Sequence, residues 1–140
     1  MSSQTVTSLA NDLRIACQRV SRRVRFESTD ELAPHLVSAL SHLKKGPRTP
    51  GELAELERVS PPSMTRTVNC LVEKGLVGRA DHPSDGRSKL VVLTDGGWAV
   101  LNRIGQARDD WMLHQLEGLT REEQDLLKAA TGLLNQVLEQ

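Results

Sequence analysis

The stretch Thr49-Pro-Gly-Glu-Leu-Ala-Glu-Leu-Glu-Arg-Val-Ser-Pro-Pro-Ser-Met-Thr-Arg-Thr-Val-Asn-Cys-Leu-Val-Glu-Lys-Gly75 decides the fold. Thr49 is followed by proline and, three positions on, by Glu52. That is a capping box with proline at the first helical position, where its missing N–H costs nothing. A short helix of about two turns follows, inward through Leu53, Ala54 and Leu56. Ser60 is a second N-cap, again before proline, and its helix is predicted over 61–74, stopped by Gly75 as a C′ residue. Between the two helices lies the three-residue turn Arg58-Val59-Ser60, the length a helix-turn-helix needs.

After Gly75 the apolar period changes from 3.6 to 2. Leu76 to Asp81 reads as a strand, His82 to Ser88 as a turn-rich loop, and Lys89 to Leu93 as a β-branched second strand. Two helices on a tight turn followed by a hairpin make a winged helix-turn-helix. On the N-terminal side a helix is predicted over 32–45, with Leu36, Val37, Leu40 and Leu43 inward, Pro34 in its first turn and Gly46-Pro47 ending it. Residues 28–31, Ser-Thr-Asp-Glu, break the pattern and are placed to cap it. Before them, Leu9, Leu13, Ala16/Cys17, Val20 and Val24 form one stripe of a helix over 8–27. On the C-terminal side Thr94 caps a long helix to about residue 117, ended by Gly118. Thr120 to Glu123 is a further capping box, opening a last helix with Leu126, Leu127, Leu133, Leu134, Val137 and Leu138.

The predicted class is therefore mainly α with a small β-hairpin. Residues 31–94 form a winged helix-turn-helix lobe, and residues 1–30 and 95–140 form a helical dimerisation lobe within one continuous domain. A chain of 140 residues suits one domain. The outer helices carry near-continuous leucine that a lone chain leaves wet, so a second copy is expected to cover them.

Composition removes several classes. Aromatics are 2% of the chain and tyrosine is absent, which disfavours a base-stacking platform for single strands. No apolar run approaches the length of a membrane span, and the Met-Ser-Ser-Gln-Thr start is not a signal peptide, so a cytoplasmic location is expected. Cys17 and Cys70 read as free thiols, Cys17 in the core and Cys70 facing outward. No phosphate loop, Cys-x-x-Cys or His-Glu-x-x-His is present, and His35, His42, His82 and His114 are scattered. No enzyme, cofactor or metal is expected, although His35 and His42 are seven apart and would share a helix face.

The net charge of zero hides an asymmetry. Residues 58–92 carry six basic against three acidic side chains, and residues 93–140 carry four against eight. A basic middle lets one surface meet an anion while the tail does not. At about 100° per residue along 61–74, Met64, Val68, Leu71 and Val72 share one face. The opposite face collects Pro62, Ser63, Arg66, Asn69 and Cys70. Small residues let a helix axis approach a major groove, and the arginine fork matches guanine O6 and N7. Ser63 and Asn69 suit bases or phosphates. The hairpin tip carries Arg87 and Lys89, and the arginine is placed to probe a minor groove. Asp85 either holds an arginine or turns the loop through a side-chain to backbone bond. The candidate double-stranded-DNA contacts are Pro62, Ser63, Arg66, Asn69, Asp85, Arg87, Lys89 and Thr49.

Taken together in this order, Gly51-Glu-Leu-Ala54, Ser60 to Val68, Leu71 to Val77, Asp85-Gly-Arg87 and Leu93-Thr94-x-x-Gly97 resemble the multiple-antibiotic-resistance regulator (MarR) family. The last two look like that family's wing signature. The resemblance covers residues 49–97, and the flanking helices match in length and placement. It implies a homodimeric transcriptional regulator, mostly repressors, built on the first and last two helices. Each subunit would set one recognition helix in a major groove of a pseudo-palindromic operator, with the wing in the flanking minor groove. Pro62, Ser63 and Arg66 would be groove contacts, Arg87 the minor-groove arginine and Asp85 its organiser. Release by a small aromatic or anionic effector, or by cysteine oxidation, is also implied. The absence of tyrosine departs from the branch that activates a first-helix cysteine with tyrosine hydroxyls. The alternatives are a winged-helix protein–protein adaptor and a thiol-oxidation-sensing regulator.

Overall fold

A computed structural model describes residues 2–28 and 31–140. The order is α1 (Ser3–Glu27), α2 (Pro34–Ser41), a 3₁₀ turn (His42–Lys45), α3 (Pro50–Glu57), α4 (Pro61–Glu73), β1 (Val77–Asp81), β2 (Lys89–Leu93), α5 (Asp95–Glu117) and α6 (Arg121–Leu138). The predicted class, mainly α with a small hairpin in a winged helix-turn-helix, is what the chain adopts.

Caps account for most of these boundaries. Thr49 Oγ1 accepts from the Glu52 N–H at 3.1 Å while Glu52 reaches back to the Thr49 N–H at 3.2 Å. Thr120 and Glu123 repeat the box at 3.1 and 2.9 Å. Gly75 (φ 74°) ends α4 in a Schellman motif: its N–H donates to the Val72 carbonyl, and the Leu76 N–H to that of Leu71. Leu76 is thereby drawn into the cap, so β1 opens one residue later than predicted.

Several expectations are corrected, among them Leu56, expected inward but exposed. α1 begins at Ser3, not near residue 8, because Ser2 caps it by accepting from the Thr5 N–H at 3.2 Å. The predicted 32–45 helix starts at Pro34, with Ala33 at the N-cap and no side-chain cap. Of the proposed capping run, Thr29 and Asp30 lie outside the described residues. Ser28 instead donates to the Val24 carbonyl, and Glu31 takes Arg103 at 2.6 Å. The same helix tightens into a 3₁₀ turn at His42, so His35 and His42 no longer share one regular helix face. His42 Nε2 lies 2.8 Å from Glu57 instead.

The hairpin is in the register Val77↔Leu93 through Asp81↔Lys89. Arg48 adds a bridge on the other edge of β2, exchanging both backbone bonds with Val91 at 3.2 and 2.7 Å. β2 is thus paired on both sides, which roots the wing beside the start of α3. Thr94 joins the wing to the helices. It donates to the Gly75 carbonyl at 2.6 Å and accepts from the Gly97 N–H at 3.1 Å. At Gly97 a Cβ would fall inside the van der Waals envelope of the Leu76 carbonyl oxygen, so no larger residue fits this approach.

Every residue of the buried core lies between Leu36 and Ile104. It draws on α2, α3, α4, both strands and the first half of α5. α1 and α6 bury no residue against their own chain. Cys17, expected in the core, is therefore exposed: the α1 stripe points away from the core found among the described residues.

Candidate nucleic-acid interface

The α3–α4 turn sets the angle of the recognition helix. Arg58 takes a left-handed conformation (φ 55°), the one non-glycine among the described residues with positive φ. Its N–H donates to the Glu55 carbonyl and that of Val59 to Ala54, a second Schellman closure without glycine. On α4 the apolar face lies as predicted: Met64, Val68 and Leu71 are buried and Val72 is half-buried. Pro62, Arg66 and Asn69 are exposed and Ser63 is half-buried. Cys70 departs from expectation, because its side chain is half-buried against the core.

The start of α4 offers no spare donors. Pro61 and Pro62 have no N–H, Ser63 donates to Ser60 Oγ at 3.3 Å, and Met64 donates to the Ser60 carbonyl at 3.0 Å. Anion recognition at this end must come from side chains. Arg66 makes no ion pair among the described residues. Asn69 is engaged: Arg79 Nη2, from β1, donates to its Oδ1 at 2.6 Å.

The wing tip resolves the two readings of Asp85. Its Oδ1 accepts from the backbone N–H of Arg87 at 3.0 Å, and Oδ2 accepts from Ser88 Oγ at 3.3 Å. The carboxylate shapes the loop and does not touch the Arg87 guanidinium, which makes no ion pair among the described residues. The Ser88 N–H adds a bond to the Asp85 carbonyl at 3.1 Å, and the loop closes through His82 N–H on Ser88 O at 3.2 Å. Lys89 sits opposite Asp81 in the register and pairs with its carboxylate, and the ammonium holds the Asp81 carboxyl below its usual range. Thr49 is half-buried, with its hydroxyl oxygen used in the α3 cap. The structure thus places Arg66 and Arg87 as uncommitted cations on the outer face of α4 and at the wing tip. It places Asn69 and Lys89 in internal bonds that spacing alone did not disclose, and Thr49 in the cap that its spacing to Glu52 predicts.

Two clefts flank this unit. One of about 320 Å³ lies where α1, α2 and α5 meet, lined by Arg25, Phe26, Leu32, Pro34, Val37 and Arg108 among others. The Nε of Arg108 is buried there without a hydrogen-bond partner among the described residues. The other, about 500 Å³, runs between α1 and α5 along Arg19, Arg22, Arg23, Trp111 and Gln115. Arg23 binds Glu27 at 2.6 Å and holds that carboxyl below its usual range. The first lies between the outer helices and the winged unit, where an effector cleft is expected, but the sequence named no lining residue of either. The available signal was that Phe26 and Trp111, two of only three aromatic residues, lie on the helices flanking the winged unit. Among the described residues, no helix is long and apolar enough to cross a membrane.

The model of the MarR family matches residues 35–88, which runs from α2 to the wing. The HTH-type transcriptional regulator Mb0904 of Mycobacterium bovis is 41% identical over 128 residues, covering 90% of each chain. The chain belongs to the MarR family. Among solved structures, a MarR family protein from Bacillus stearothermophilus superposes with a TM-score of 0.78 at 24% identity, over 100% of this chain and 99% of that one, a likeness of fold. The transcriptional regulator Tm0710 from Thermotoga maritima gives 0.75 at 25% identity, over 96% and 99%. As a MarR-family helix-turn-helix transcriptional regulator the protein binds DNA and is not an enzyme.

Proposed function

We propose that this MarR-family regulator is a homodimeric repressor that works in the cytoplasm on a pseudo-palindromic operator. In this reading residues 31–94 are the DNA-binding lobe, and residues 1–30 and 95–140 join two copies. Pro62, Ser63, Arg66 and Asn69 meet a major groove, and Arg87 enters the flanking minor groove from a loop shaped by Asp85. Lys89 and Thr49 lie at the margin as phosphate contacts. The observation that carries the reading is the pair of uncommitted arginines. An adaptor has no use for two unpaired guanidinium groups beside a small-residue face, whereas grooves of a duplex take both. The open apolar rows on α1 and α6, with Leu9 54% and Leu133 64% exposed, support the dimer.

Selection of bound duplexes from a random pool tests this directly. A two-fold motif with half-sites about one helical turn apart is expected, and a pool that returns no motif overturns the reading. On the selected operator, Arg66→Ala should weaken binding by about 1–3 kcal/mol and relax one position per half-site. Equal loss on every duplex would make Arg66 a phosphate contact only. Arg87→Ala should weaken binding most where the flanks are A·T-rich, because a narrow minor groove concentrates negative potential. An unchanged affinity there removes the wing from the interface.

Release by a small effector is supported by the α1–α2–α5 cleft. Two arginines, Arg25 and Arg108, face apolar walls that include Phe26, a lining that suits a small aromatic or anionic compound. The cleft joins the outer helices to the first helix of the winged unit, so a ligand that favours one angle between them shifts the spacing of the recognition helices.

A further inference from the structure

The bond between β1 and the recognition helix has a consequence for what the helix reads. Arg79 is opposite Val91 in the hairpin register, so the two side chains leave the same face of the sheet, and Val91 is buried in the core behind α4. The register therefore delivers the arginine stem toward α4, where Nη2 reaches Asn69 Oδ1 at 2.6 Å. Glu73, one turn further along α4, takes no ion pair with Arg79 among the described residues, so the guanidinium is committed to a neutral amide. A guanidinium has only donors. Whichever way the Asn69 amide turns in isolation, the atom facing Arg79 must be its carbonyl oxygen. The NH₂ group is then left as the outward end of an exposed side chain.

We propose that Arg79 is a positioning residue that orients Asn69 to read chiefly as a donor. An unrestrained asparagine pairs with adenine through both ends, accepting from N6 and donating to N7. With one lone pair of its oxygen held by Arg79, Asn69 turns its donating NH₂ outward and leads with that half. It favours groups that accept, such as guanine O6 and N7 or thymine O4, and its two-ended pairing with adenine is weakened. This inference rests on the reading of α4 as the groove helix.

The test is duplex selection with the full chain, comparing wild type, Arg79→Met, Arg79→Lys, Asn69→Ala and the Arg79→Met/Asn69→Ala double variant. Thermal melting accompanies each to show that the fold is retained. Wild type should return guanine or thymine at the position that Asn69→Ala relaxes. Arg79→Met should move that position toward adenine, and Arg79→Lys, which keeps the charge but not the planar fork, should loosen it without changing the salt slope. In the Asn69→Ala background, Arg79→Met should alter the selected sequence no further. The proposal is overturned if Asn69→Ala leaves the motif intact. It is also overturned if Arg79→Met keeps the wild-type motif while losing affinity equally on all duplexes, with the log–log salt slope falling by about 0.9, the mark of a plain phosphate contact. A wild-type chain that selects no motif at all refutes the groove-helix reading itself, a result distinct from either of these.

Discussion

Replacing Leu13 and Leu133 together by glutamate should convert the protein to a monomer and lower its operator affinity by about 10²–10⁴-fold. The two leucines are 41% and 64% exposed in the single chain, and neither touches the buried core between Leu36 and Ile104. The substitutions therefore leave the winged unit its own packing. In a dimer that covers α1 and α6, the same positions would bury carboxylates without partners, which costs far more than the leucine contacts they replace. Each recognition helix would then bind one half-site alone, without the effective concentration that a partner supplies. Light scattering should give about twice 15.4 kDa for the unmodified chain and 15.4 kDa for the variant. A variant that stays dimeric places the interface elsewhere. A monomeric variant that binds the operator undiminished removes two-fold recognition from the mechanism.

The largest effect on stability is expected from one added methyl group, Gly97→Ala. A Cβ at this site collides with the Leu76 backbone carbonyl and lies 3.0 Å from Leu93 Cδ2. The colliding atom is main chain, held in the α4 cap and the wing root by the Leu76 and Thr94 amides, and has no easy way to move. Overpacking against backbone costs about 1–3 kcal/mol or more. At about 3–5 °C per kcal/mol for a chain of this size, the melting temperature should fall by about 10 °C. Gly105→Ala is the control. It lies in the interior of α5 with nothing within 4 Å of its Cβ position, so alanine's better helix propensity should leave stability equal or slightly higher. If Gly97→Ala melts with the control, the wing and α5 do not depend on this contact. Because Leu76 joins the α4 cap through its N–H and the wing root through that carbonyl, the variant should also lose operator binding below its melting point.

The helix-turn-helix was legible because its signals are local. Thr49 with Glu52, Ser60 before two prolines, and Gly75 each satisfy orphan backbone groups within four or five residues of themselves, so spacing alone exposes them. The faces of α4 followed from its 3.6-residue period. What was not legible depended on contacts distant along the chain or on backbone that no residue type announces. Nothing in the composition marks Arg58 as left-handed. The 3₁₀ turn at His42 comes with tertiary partners, Glu57 on α3 and the Arg48 side chain on the His42 carbonyl. The two cysteines were misplaced for related reasons. A stripe shows that Cys17 lies near an apolar face without showing whose core that face meets, and Cys70 lies on the wheel's polar face yet packs against the core, a tertiary contact that the helical period does not show.

By itself the chain's residue order determined the winged helix-turn-helix, its element order and which arginines stand on the outer face of α4 and at the tip of the hairpin. Caps, glycines and periodicity act over a single turn and need no knowledge of the rest of the molecule. Only the tertiary structure decided which polar side chains remain available. It closed Asp85 onto the Arg87 backbone, tied Lys89 to Asp81 and gave the Asn69 oxygen to Arg79. The first is a local turn that spacing left open between two readings, the second depends on strand register, and the third on register together with the packing of β1 against α4, where a shift of one residue would turn every strand side chain to the opposite face.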